Sequence, residues 1–297
     1  MKPRSLALAL GTALWGVALT GLAGPPAGDK PNVLFLMADD LRPELGCYGA
    51  GHVISPNIDR LAKRGRMFEH AYCQQALCNP SRASMLTGLR PDSLGIWNLP
   101  THLRQRRPGI VTLPQHFRNN GYFTECVGKI FHNWRQDIHG DPQSWSVPQF
   151  MHYARHDDDK PRVEGKPPGN EIKLPRSTIR DVPDEAYFDG RIATRAIESL
   201  RGLKKNRKPF FLAVGFWKPH LPFNAPKRYW NLYDPAKVKL PESLAKPANG
   251  PDIALHDSRE LLRAFGGRKP SPRDIRELRR GYYAATTYMD AQVGRVL

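Results

Sequence analysis

The feature that most restricts this chain is a continuous apolar run, Asn32-Val33-Leu34-Phe35-Leu36-Met37-Ala38, that ends abruptly in Asp39-Asp40. A strand without polar and apolar alternation has to be covered on both faces, as a parallel strand is between two helical layers. Two more runs repeat the design: residues 122–127, followed by Gly128-Lys129, and residues 210–214, followed by Gly215. Helical patterns fill the intervals at 57–64, 80–87, 113–119 and 184–203, with Gly121 as a stop signal just past the third. Strands alternating with helices predict an α/β fold with a mostly parallel sheet flanked by helices, rather than a sandwich or a bundle. At 297 residues and 40% hydrophobic content the chain can build a substantial core, which excludes a disordered protein. Its Pro and Gly follow no fixed period, which excludes a fibrous one.

The N-terminus predicts the compartment. Lys2 and Arg4 precede an apolar stretch from Leu6 to Leu22, and small residues follow at Ala23, Gly24 and Ala27. That layout predicts a cleaved secretory signal over 1–27, a mature domain over 28–297, and no lasting membrane insertion. The competing reading is an uncleaved anchor, since the run approaches the roughly 20 residues that span a bilayer. Secretion or a periplasmic location follows, or a lysosomal one in a eukaryote. An oxidising compartment would ordinarily pair Cys47, Cys73, Cys78 and Cys126 into up to two disulfides. No CxxC pair supports a zinc site.

Four polar clusters follow strand-like runs or open a helix, and ligands of open α/β sheets bind beyond the strand C-termini. Asp39-Asp40 reads either as a divalent-cation site, which would relieve the repulsion of adjacent carboxylates, or as a solvated turn. In Cys78-Asn79-Pro80-Ser81-Arg82, Asn79 suits a helix cap and Pro80 the first helical position, which puts Cys78 at the positive end of a helix. Arg82 can offer a planar fork to an oxyanion. Lys129 and His132 are a cation and an imidazole at a strand exit, suited to gripping an oxyanion and moving a proton. Trp217-Lys218-Pro219-His220 repeats the theme, with Trp217 offering a face to a sugar or aryl ring and the prolines stiffening a loop. Residues 135–184 and 218–272 are rich in Pro, Gly and charge and read as surface excursions around a cleft.

Residues 78–88, Cys-x-Pro-Ser-Arg continuing to Leu86-Thr87-Gly88, resemble the signature of the type I sulfatases at every defining position. The segments around Asp39-Asp40, Gly46-Cys47-Tyr48-Gly49, Ser55-Pro56-Asn57, Gly128-Lys129-Ile130-Phe131-His132 and Lys218-Pro219-His220 resemble, more narrowly, the iduronate-2-sulfatase subgroup. The resemblance implies an alkaline-phosphatase-like α/β fold. It implies conversion of Cys78 to formylglycine by a dedicated formylglycine-generating enzyme, and one calcium ion held by Asp39, Asp40 and the modified Cys78. A hydrated formylglycine has one oxygen to attack sulfur and a second whose deprotonation expels sulfate, which a thiol lacks. By the same resemblance Arg82 fixes the formylglycine, Lys129 stabilises its charge, and His132 acts as a base. Lys218 and His220 then face the sulfate and the leaving alcohol, with His220 as proton donor. The substrate implied is a sulfated carbohydrate such as a 2-sulfated uronate.

From Pro272 onward apolar residues recur at steps of three and four, and the pattern reaches Leu297 without a stop signal. The family places a second pair of metal ligands, in an Asp-His-Gly context, and a further Lys after such a helix. Their absence here predicts a fold incomplete at the C-terminus, weak calcium binding and little activity in this chain alone. Two other functions fit parts of the sequence. Phosphoryl transfer on the same fold would normally use Ser or Thr where Cys78 stands. A non-catalytic basic binder of acidic polysaccharide would use the net charge of +17. The same charge attracts nucleic acid, but no nucleic-acid motif accompanies it and the signal argues against that partner.

Overall fold

The computed structural model describes residues 30–152, 172–174, 176–206, 208–243, 245–252 and 259–297. The signal expected over 1–27 and much of the 135–184 excursion lie outside the described residues. In chain order the strands are β1 (Val33–Asp39), β2 (Phe123–Gly128), β3 (Ile172–Leu174), β4 (Ser177–Arg180), β5 (Phe210–Pro219) and β6 (Ala225–Pro226). The helices are α1 (Pro56–Arg64), α2 (Cys78–Thr87), α3 (Pro91–Leu94), α4 (Leu103–Arg106), α5 (Leu113–Asn119), α6 (Phe188–Lys205), α7 (Lys227–Trp230), α8 (Arg259–Ala264) and α9 (Pro272–Val296).

The main sheet runs β1-β5-β2 with all pairs parallel, Val33 lying opposite Phe211 and Phe123 opposite Phe210. The central strand β5 is buried along nearly its whole length, and its alternate side chains divide between two layers. Leu212, Val214 and Phe216 pack with Ile192, Ala196 and Met289 of α6 and α9. Phe211 and Ala213 pack on the other face with Ala83, Leu86 and Cys126. Each layer covers one face, as the unbroken apolar runs require. A second core joins the middle of α9 to Trp230 of α7 and to β4 and β6, which form a small sheet with β3.

The predicted strands and helices are present, with three differences of extent. β5 continues past Val214 to Pro219, so Trp217 and Lys218 lie within the strand rather than in a loop. Helix α2 starts at Cys78, two residues before the expected first position at Pro80. A 3-10 turn at Asp184–Ala186 precedes α6, which starts at Phe188. Helix α1 is capped from a distance, as Asp290 of α9 accepts the amides of Asn57 at 3.2 Å and Ile58 at 2.8 Å. No helix among the described residues is long and apolar enough to cross a membrane.

Candidate active site

The C-terminal ends of β1, β5 and β2 converge, and glycines allow it. A Cβ on Gly215 would lie 1.9 Å from the Lys129 carbonyl oxygen, and one on Gly128 would lie 2.1 Å from that of Gly215. Gly128 also takes a φ of 81°, the left-handed region that favours glycine. This close crossing turns the chain after β2 so that Lys129 points toward Asp39 at the end of β1.

Asp39 is buried, and its two oxygens serve two cations. Oδ1 accepts from Arg82 at 2.8 Å, and Oδ2 accepts from the Lys129 ammonium. Burial alone would raise the Asp39 pKa, but Lys129 and Arg82 outweigh it and hold the carboxyl far below the usual range. Arg82 is equally enclosed, and it also donates to the carbonyls of Lys129 at 2.7 Å and Ile130 at 2.9 Å. One guanidinium thus ties α2 to the ends of β1 and β2.

Asp39, Asp40, Cys78 and His220 each offer a ligand atom, and these atoms lie within 4.8 Å of one another. The sequence reading grouped the first three as metal ligands, and the fold adds His220, whose Nε2 is 3.6 Å from Asp40 Oδ2. Asp40 is half-open to the cleft and takes a φ of 56°. Tyr282 Oη donates to its carbonyl at 2.9 Å and accepts from the Arg42 amide at 2.7 Å. The Asp40 pKa is raised by burial and by the charge of Asp39, against His220.

Two hard carboxylates suit a calcium or magnesium ion, and a thiol does not. Burial pushes the Cys78 thiol up to about 11 despite Lys129 and Arg82, so at neutral pH it is neither a good nucleophile nor a good ligand. An oxygen-bearing derivative at this position would give the two carboxylates a hard third donor, and in that form Asp39, Asp40 and residue 78 fit a divalent ion.

His132 is buried, and neither ring nitrogen has a hydrogen-bond partner in good geometry. Burial and the charges of Lys129 and Arg82 push its pKa down to about 3, so it is neutral at ordinary pH.

Four expectations are corrected. Asn79 does not cap α2: Leu77 occupies that position without a side-chain bond, and Asn79 Nδ2 instead donates to the carbonyls of Asn98 and Thr101, both at 2.8 Å. Because the helix already starts at Cys78, Asn79 lies inside its first turn, where its amide nitrogen ties the helix to the neighbouring loop. Lys218 is fully buried, with its ammonium on the Pro222 carbonyl at 2.6 Å, so it braces its own loop instead of facing the cleft. Trp217 is also buried, against Phe188 and beneath Lys129, whose Nζ is 5.1 Å from the ring centroid, and it presents no open face to a sugar. All four cysteines are free thiols, so the expected disulfides are absent.

Sequence reasoning missed Asp189. Buried in the first turn of α6, it accepts the amides of Trp217 at 2.8 Å and Lys218 at 2.9 Å. It thereby fixes the end of β5 from which His220 projects. An acidic residue in a first helical turn is too common to mark this role.

The family model described as Sulfatase matches residues 31–297. The chain is 38% identical to mouse iduronate 2-sulfatase, with 99% of this chain aligned to 56% of that protein. It is also 38% identical to the human enzyme, with 91% aligned to 51%. It thus spans about half the length of the curated relatives it matches. A phosphonate monoester hydrolase from Silicibacter pomeroyi shares the fold at a TM-score of 0.68 and 23% identity, over 90% of this chain and 58% of that one. The putative sulfatase yidJ from Bacteroides fragilis shares it at 0.62 and 22%, over 93% and 59%. The converging strand ends, the Cys78–Arg82 signature at the start of α2 and the family match across the folded unit lead to one conclusion: the chain belongs to the sulfatase family.

Proposed function

We propose that this chain is the catalytic portion of a secreted or periplasmic sulfatase that hydrolyses sulfate esters of acidic carbohydrate, with 2-sulfated uronate as the substrate class. The observation that carries the reading is the Asp39–Asp40–Cys78–His220 group beside the Arg82 and Lys129 cations. The identity to iduronate 2-sulfatases supports the choice of substrate.

Cys78, converted to formylglycine by a formylglycine-generating enzyme and hydrated, would supply the oxygen that attacks sulfur. A calcium ion held by Asp39, Asp40 and residue 78 would polarise a sulfate oxygen there. The remaining work belongs to the chain's own side chains. Lys129 opposes the negative charge that gathers as the new S–O bond forms, and Arg82 locks α2 so that residue 78 stays against Asp39. His220, on the cleft side, donates a proton to the alcohol oxygen as its bond to sulfur breaks. His132 is the acceptor of the proton whose loss releases sulfate; Lys129 and Arg82 hold its pKa down to about 3, and the negative charge of a bound sulfate opposes them. Trp217 and Lys218 act from behind, by shaping the β5 end that carries His220.

Peptide mass spectrometry after coexpression with the converting enzyme tests the reading. An aldehyde at residue 78 is expected. Only thiol or disulfide there would refute it.

A further inference from the structure

Two buried polar side chains, Asn79 and Arg82, lie close to residue 78 at the start of α2, and each reaches a different segment. Arg82 donates to the carbonyls of Lys129 and Ile130, just before His132. Asn79 directs its carboxamide nitrogen at the carbonyls of Asn98 and Thr101, both at 2.8 Å. A second buried carboxamide grips the same stretch. Gln136 Nε2 donates to the Leu99 carbonyl at 2.9 Å and to that of Thr101 at 3.3 Å. The Thr101 carbonyl oxygen, with two lone pairs, is thus shared between the two amides.

Residues 98–101 belong to no helix or strand, so side-chain amides take the place of the donors a sheet or helix would supply. The next residue repeats the bridge. His102 Nε2 donates to the Gly140 carbonyl at 2.6 Å, and the Gly140 amide donates to Asn133 Oδ1 at 2.5 Å. The Gln136 amide returns to the Asn133 carbonyl at 3.3 Å. Asn133 directly follows His132, so the segment that carries His132 is held at both ends. Arg82 fixes 129–130, while Asn133 and Gln136 are fixed on 98–102. The buried His132 ring has no hydrogen bond in good geometry to orient it, so its place follows that of the backbone on either side.

We propose that Asn79 and Gln136 are positioning residues, which act through the shared Thr101 carbonyl to set the place of residue 78 relative to His132. The inference rests on the sulfatase reading for what those two residues do, and adds what keeps them in register. Both carboxamide nitrogens point at main-chain carbonyls, so they work through the loop and not on the substrate. An attacking oxygen and the group that later takes its proton have to stay aligned, and a misplacement of about 1 Å can cost about a hundredfold in rate. Removing either amide opens the same bridge, so the second removal should add little to the first.

The test compares wild type, Asn79→Ala, Gln136→Met, the double variant and Thr287→Val. The last is a control that removes a buried side-chain donor from another loop carbonyl, that of Ile54 at 2.7 Å. Sulfate release from a 2-sulfated uronate disaccharide, by chain coexpressed with the converting enzyme, gives kcat and KM. Iodoacetamide labelling of Cys78 at one fixed pH, in chain made without that enzyme, gives a readout independent of activity. Each single variant should lose about tenfold in kcat with KM within about twofold of wild type, and the double variant should lie within about twofold of the worse single one. Cys78 should label about fivefold faster in both single variants, Gln136→Met included although that residue sits on a different loop. The control should match wild type in each measurement. If wild type releases sulfate and both variants keep its kcat and labelling rate, the positioning role falls and the sulfatase reading stands. Losses that multiply in the double variant would show two independent effects and overturn the shared link. If wild type releases no sulfate, the sulfatase reading falls and labelling decides alone: faster labelling in both variants supports the bridge, and unchanged rates overturn it. Equal changes in Thr287→Val would show general loosening and likewise overturn it. Circular dichroism checks each fold, and should Asn79→Ala not fold, Gln136→Met decides.

Discussion

Asp39 and Lys129 form a buried ion pair across the central strand of the sheet, although their own strands, β1 and β2, are not neighbours. The pair spans the end of β5, and Arg82 closes it from α2. The floor of the site is therefore also a clamp on the fold.

Asp39→Asn should be strongly destabilising, because it leaves Lys129 and Arg82 buried without their counter-charge. Breaking a buried pair in this way costs about 3–5 kcal/mol. Asp40→Asn, at a carboxylate 52% exposed, should cost less than about 1 kcal/mol. Urea denaturation of the two variants beside wild type measures the difference. Equal stability of all three would contradict the clamp.

Gly215→Ala should cost about 3 kcal/mol or prevent folding, since its methyl group would lie 1.9 Å from the Lys129 carbonyl oxygen. Gly202→Ala, in the exposed part of α6 with nothing within 4 Å, should instead be neutral or slightly stabilising. Thermal melts of both variants check the contrast.

His102 adds a pH-dependent element away from the site. Its Nδ1 accepts the Arg104 amide at 3.1 Å, and Nε2 donates to the Gly140 carbonyl at 2.6 Å, which requires the neutral ring. Burial holds its pKa below the ordinary value of about 6.5. The unfolded chain thus binds the extra proton first, and stability present above about pH 6.5 is lost as the pH falls toward the folded pKa. The stability advantage of wild type over His102→Asn should shrink between pH 7.5 and pH 5. An advantage that grows on acidification would reverse the assignment.

The unmodified Cys78 thiol should resist alkylation. With its pKa pushed up to about 11, its reaction with iodoacetamide should accelerate about tenfold per pH unit from pH 7 to pH 10. At pH 7.5 the exposed Cys73 should be labelled first, as peptide mapping would show. A Cys78 rate already saturated at pH 8 would mean that burial does not control this thiol.

Much of the fold could be read from local pattern, because β1, β2 and β5 are apolar without alternation and α9 keeps its period for 25 residues. The candidate residues Asp39, Asp40, Cys78, Arg82, Lys129, His132 and His220 stand out in the sequence as polar groups at strand exits or a helix start. What stayed hidden depends on contacts distant in sequence. Asn79 looks like a cap until Asn98 and Thr101 are brought beside it. Trp217 and Lys218 look ligand-facing until β5 is seen to continue through them, with Asp189 holding their amides. Tyr282 reads as one more apolar position of α9, and only the fold puts its hydroxyl on Asp40.

Whether residue 78 carries out sulfate-ester hydrolysis is decided by sulfate release from a 2-sulfated uronate disaccharide, measured with chain coexpressed with the converting enzyme and with the matching Cys78→Ala protein. Release that Cys78→Ala abolishes while disaccharide binding persists is expected, with weaker action on the corresponding phosphate ester. Equal release by Cys78→Ala, or preference for the phosphate ester, would contradict it.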